Sequence, residues 1–150
     1  MTIQLADHEA SLVAYLIGTA SEVSSLKILT GGGLRTWAGV DVPEGYNPEE
    51  GAALLLKSRG GNASRVEAMN APSFSFRCIG EIMSDDPENA QSSARAVEIA
   101  LYEALHYRGA IAGGAIRQSY SEGSGELIRN AQGWYEVITF YTVWLSNSFV

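Results

Sequence analysis

The stretch QGWYEVITFYTVWL, from Gln132 to Leu145, has no breaker after Gly133 and is dense in aromatic and β-branched side chains. It predicts a strand of roughly a dozen residues, about twice the usual length. Successive strand side chains point to opposite faces. Trp134, Glu136, Ile138, Phe140, Thr142 and Trp144 therefore share one face, and Tyr135, Val137, Thr139, Tyr141, Val143 and Leu145 share the other. Neither face is polar, so the strand needs a cover on both sides. Helices of the same chain supply one. The second is either further helices from the same chain or another molecule. Large apolar patches mark interfaces, and Tyr and Trp commonly anchor them.

The rest of the chain limits the helices available. From Asp7 to about Ala20 the pattern is helical: Asp7 can cap, Glu9 lies in the first turn, and Leu12, Val13, Leu16 and Ile17 make one stripe. The segment SDDPENAQSSARAVEIALYEALHYRG predicts the long helix, with Asp86 as N-cap, Pro87 at the first helical position and Gly109 as the stop. Its stripe is Ala90, Ala94, Val97, Leu101, Ala104 and Leu105, small enough to lie close on a sheet. Arg95, Glu98 and Glu103 fall off the stripe and are expected in solvent.

Strands account for most of the remainder. LKIL and LRTWAGV read as short strands around Gly31, Gly32 and Gly33, with a hairpin or flexible turn between them. NPEEGAALLLKS admits both a helix started at Asn47–Glu50 and a buried strand, and a strand from about Ala52 to Ser58 is the reading taken. SRGGNASRVEAMNAP reads as a loop. SFSFRCIGE alternates cleanly, with Phe74, Phe76 and Cys78 on one side and Ser73, Ser75 and Arg77 on the other. Further strands are expected near Ala115 to Tyr120 and at Glu126 to Arg129, the latter turning at NAQG into the closing strand. The expected fold is a single α+β domain over residues 1–150: a mostly antiparallel sheet with an N-terminal helix and one long central helix on one face.

Composition excludes several functions. The chain has 150 residues, is 46% hydrophobic and carries a net charge of −7 from ten Lys and Arg against seventeen Asp and Glu. Such a balance does not suit a protein that grips nucleic acid by its phosphates, though it permits DNA to pass without being held. No segment reads as a membrane span, and the N-terminus lacks a signal-peptide pattern, so synthesis and folding in the cytosol are expected. The one cysteine, Cys78, precludes an internal disulfide and suits a packing role.

Chemistry is hard to find. No metal-ligand spacing joins His8 or His106 to a second ligand. The triple glycine lacks the Lys-Ser or Lys-Thr pair of a phosphate loop. GSGE at Gly123–Glu126 is not a nucleophile elbow, and helix capping accounts for the acidic cluster Asp85, Asp86 and Glu88. No catalytic, cofactor-binding or metal-binding set emerges. Lys57, Arg59 and Arg65 form a small basic cluster, either a solvated loop or a docking loop for an acidic partner.

The order of elements resembles the tail terminator (tail completion) proteins of long-tailed double-stranded DNA phages. The resemblance is carried by APSFSFRCIGE, the small-residue helix ARAVEIALYEALHYRG and the closing GWYEVITFYTVWL, from Ala71 to Leu145. It implies a structural virion protein, without enzymatic activity or cofactor, that forms a ring, commonly a homohexamer. The ring caps the head-proximal end of the tail tube, stops its growth and offers a head-joining surface, while DNA passes through the lumen. The implied partners are copies of itself, the tail tube protein and a head-completion or connector protein, with no membrane. By this analogy Trp134, Tyr135, Tyr141 and Trp144 are the subunit-interface candidates, and Lys57, Arg59, Arg65 and Glu122 the partner-docking candidates. The segment from Gly39 to Glu50 is longer than the family leads one to expect. Another neck component, and more distantly a ligand-binding or catalytic α+β domain, are the alternatives.

Overall fold

The computed structural model describes residues 3–4, 8–63, 69–83, 86, 88–106, 108–111, 116–146 and 148–149. In chain order the elements are β1 (Ile3–Gln4), α1 (His8–Leu16), a 3-10 turn (Ser21–Val23), α2 (Ser24–Leu29), β2 (Thr36–Ala38) and a second 3-10 turn (Pro48–Glu50). Then come β3 (Ala53–Ala63), β4 (Met69–Ile79), α3 (Asn89–Leu105), β5 (Arg108–Ile111), β6 (Ile116–Ser121), β7 (Glu126–Arg129), β8 (Tyr135–Ser146) and β9 (Ser148–Phe149). Seven strands make one sheet in the order β2-β3-β4-β8-β6-β5, with β7 also on β8. All its pairs are antiparallel except β2 with β3. The separate β1–β9 pair sets Ile3 opposite Phe149. This is the α+β architecture expected, in one domain.

The length of β8 has a structural cause. One edge pairs with β4 from Ile79↔Glu136 to Met69↔Ser146. The other edge serves two short strands in series, β7 along Tyr135–Ile138 and β6 along Tyr141–Leu145. A strand of ordinary length could not hold both.

Helices cover one face of the sheet. The expected stripe of α3 is buried, joined by Ala100, and packs on Phe74, Phe76, Val137, Tyr141 and Val143. Small residues do bring the helix close: a Cβ at Gly80, after β4, would strike the Ala90 carbonyl and the Ala94 amide. The α1 stripe adds Leu12 and Leu16 to the same core, and the Tyr15 hydroxyl donates to the Ala104 carbonyl at 2.7 Å.

Several local expectations are corrected. LKIL is helical, within α2, and the triple glycine ends that helix instead of turning a hairpin. Gly31, Gly32 and Gly33 have φ of 68°, 75° and 90°, and the Gly32 amide reaches back to the Lys27 carbonyl at 2.7 Å. The ambiguity at NPEEG resolves into both parts, one 3-10 turn followed by a strand. The supposed loop at 58–72 is largely the two arms of the β3–β4 hairpin, with a bulge between Ser58 and Gly61. Its Gly, Asn and Ser residues have no strand propensity of their own, so the partner strand supplies the order.

α3 begins at Asn89, with Glu88 in the capping position and no side-chain cap, whereas Asp86 forms an isolated bridge to Met83. It ends at Leu105, and Gly109, within β5, pairs with Gln118 of β6 instead of stopping the helix. The expected positions Asp7, Arg65, Asp85 and Pro87 lie outside the described residues.

Candidate functional site

The two faces of β8 are finished differently. On the helix side, Val137, Thr139, Tyr141 and Val143 are buried. Tyr141 is 1% exposed and meets Phe76 edge-to-face at 5.4 Å, and burial pushes its phenol up from the ordinary value. It is a core residue of this chain and presents almost no surface to a neighbour, contrary to its expected place at an interface. Cys78 is likewise fully buried, and desolvation raises its thiol.

The opposite face carries Trp134, Glu136, Ile138, Phe140, Thr142 and Trp144, and the chain itself covers one end of it. The segment after β2 folds back so that Tyr46 packs with Ala53 and Ile79, with Trp37, Val42 and Trp134 against them. Tyr46 lies between two indoles, 5.0 Å from Trp37 and 5.7 Å from Trp134, and its hydroxyl donates to the Gly51 carbonyl at 2.8 Å. Burial raises the Tyr46 phenol as well. The long Gly39–Glu50 segment thus forms a second small core, and Trp134 is partly spent inside it.

Next along this face is an ion pair that reading the sequence missed. Arg77 of β4 donates to both Glu136 oxygens, at 3.1 Å from Nε to Oε1 and 2.8 Å from Nη2 to Oε2. The Glu136 side chain is only 3% exposed. Asn130 donates to it at 3.1 Å, and Asp41 lies 3.4 Å from Arg77. The bonded Glu136 carboxylate is the largest cause holding the Arg77 guanidinium above its ordinary value. A buried carboxylate requires such partners. The signal available in sequence was an acid in the middle of an apolar strand.

At the far end, Phe140 is 36% exposed, with the Arg59 guanidinium 4.4 Å above its ring. Arg59 donates to the Ser73 hydroxyl at 3.4 Å, and that hydroxyl donates to Glu122 at 2.7 Å. Two docking candidates distant in sequence, Arg59 and Glu122, therefore meet over β4. Lys57 is exposed, on the strand position opposite Ser75. Trp144 is half-buried opposite Gln118 on this same face. Tyr135 is half-buried, on the helix side of the sheet, with Arg129 5.8 Å from its ring centre.

A cleft of about 450 Å³ opens beside α3, lined by Arg95, Glu98, Ile99, Tyr102, His106, Ser121, Gly123, Ser124, Thr139 and Tyr141. Its charges are largely satisfied internally. Glu98 accepts from Arg95 at 2.9 Å and from the Gly125 amide at 2.8 Å, while Arg95 also donates to the Gly125 carbonyl at 3.1 Å. Glu98 is thus not a solvated residue: its side chain is 17% exposed. His106 stacks on Tyr102 at 4.1 Å and accepts the Ser121 amide at Nδ1, 3.2 Å. The His8 side chain lies outside the description.

Among the described residues no cluster of three His, Cys, Asp or Glu could hold a metal ion, and no single helix is long and apolar enough to cross a membrane. No protein-family model and no curated protein matches the chain. What the geometry offers is an aromatic and cationic strip at one end of the open face and an apolar-mouthed cleft on the helix side.

Proposed function

We propose that the protein is a ring-forming tail terminator of a long-tailed double-stranded DNA phage. In this role it caps the head-proximal end of the tail tube, stops polymerisation and provides the head-joining surface. The observation that carries the proposal is the unequal finish of the sheet. Helices cover one face, the chain's own loop covers one end of the other, and Phe140, Arg59 and Trp144 remain at the far end with surface to offer. Added to the resemblance over Ala71–Leu145, this supports packing against copies of itself. The charge of −7 suits a lumen through which DNA slides without sequence-specific binding. The tail tube protein and a head-completion or connector protein are the partners at the two rims. The work is structural, in the virion after assembly in the host cytoplasm, and calls for no catalysis or cofactor.

Electron microscopy of the purified protein, alone and with tail tubes, tests this. Rings, free or seated on tube ends, are the expected outcome. A protein that stays monomeric at high concentration and leaves tubes uncapped would sink the proposal. The Gly39–Glu50 segment, with its own small core, favours a second reading as another neck component. Deleting the gene separates them: overlong tubes mean a terminator, and tubes of normal length without heads mean a different neck protein.

A further inference from the structure

We infer that the cleft beside α3 receives the glycine turn of a second copy of this chain, with Leu34 and Ile28 as the inserted side chains. The inference rests on the ring proposed above and adds which surfaces meet in it.

The helix layer is lopsided. α1 lies against β2 and β3, and α1, α2 and the first 3-10 turn occupy one flank of α3. Beyond the other flank, over β6 and β7, no further helix lies among the described residues, and the cleft opens there. Its chemistry selects an occupant. Arg95, Glu98 and Gly125 close on one another, and the Ser121 amide engages His106. The mouth is then Ile99, 62% exposed, and Tyr102, 48% exposed. A site whose charges are already paired gains little from a charged group and favours an aliphatic one.

The chain carries such groups on its opposite flank. Leu34 is 81% exposed and Ile28 79%, the highest values among the large apolar side chains described. They flank Gly31–Gly33, and the three positive φ angles shape the turn between them. A Cβ at Gly31 or Gly33 would also strike Arg35 or Ile17, so the turn packs tightly at its base. Leu34 and Ile28 and the cleft lie on different flanks of one layer. Contact between them is head-to-tail, repeats from subunit to subunit and can close a ring, whereas pairing of like surfaces would stop at a dimer.

Cross-linking tests this directly. Leu34→Cys and Ser124→Cys each place a thiol on an exposed turn, one at an inserted position and one in the cleft wall, and Cys78 is buried and does not compete. The two variants are mixed under conditions in which the unmodified protein forms rings, with tail tubes added if needed, and treated with a short bismaleimide. Dimers that require both variants, and a ladder up to the ring number from the double variant, are expected. Ile28→Asp with Leu34→Asp should lower the ring fraction roughly tenfold or more while leaving the thermal midpoint nearly unchanged. Rings that form without any mixed cross-link, or a Leu34→Cys protein that links to itself, would overturn the inference and leave the ring intact. No assembly of the unmodified protein, even on tubes, would overturn the ring and the inference together.

Discussion

The helix-side and open faces of β8 and of Trp134 just before it belong to one stretch of chain yet are stabilised by different means. The helix side is a packed apolar layer, in which Val137, Tyr141 and Val143 meet α3 and β4 neighbours. The open face is pieced together from distant segments: Tyr46 over Trp134, Arg77 with Glu136, and Arg59 over Phe140. The first kind of surface follows from side-chain alternation. The second depends on register and on a loop, and it leaves part of the strand available to a partner.

Substitutions can break this comparison in graded steps. Tyr141→Ala empties a fully buried aromatic site and should cost about 3–5 kcal/mol in urea unfolding. A much smaller loss would mean that the helix side is not the principal core. Glu136→Ala leaves Arg77 facing a nearly dry site without its partner. With Arg77 itself 24% exposed, the cost should be about 2–3 kcal/mol, and Glu136→Gln should recover part of it. Equal stability of both variants with the parent would show the pair to be solvated.

Trp134→Ala should cost about 2 kcal/mol, and limited proteolysis should then cut within Gly39–Glu50, since Tyr46 loses half of its aromatic sandwich. Continued protection of that segment would remove the second core from the account. The smallest effect on folding belongs to Phe140→Ala, expected below about 1 kcal/mol because the ring is 36% exposed. If the proposed ring forms, its consequence should appear in sedimentation of that assembly. A variant that folds and assembles like the parent would show that this end of the open face docks nothing.

The sequence revealed whatever depends on local periodicity. The α3 stripe, β7 at Glu126–Arg129 and the extent of β8 are legible because neighbouring residues alone set their patterns. β5 and the outer arms of the β3–β4 hairpin are not, since Gly, Ser and Asn become strand there only through a partner. Alternation also tells which residues of β8 share a face but not which face meets the helices, so it could not place Tyr141, an interface candidate only by analogy, in the core. Arg77 and Glu136 were both visible, one on a polar face and one amid apolar neighbours. Their meeting needed the β4–β8 register, which no local pattern contains.

The service that β8 gives to three strands sets the order of events during synthesis. β4, β6 and β7 all lean on a strand made after them, with Ile79 waiting for Glu136 and Cys78 for Val137. Until β8 has left the ribosome, Phe74, Phe76 and the apolar stripe of α3 have no central strand to close over. Such late, long-range closure slows folding and exposes apolar surface to other chains. The β2–β3–β4 and β5–β6 parts of the sheet should therefore be joined only in a late step, when β8 enters between them.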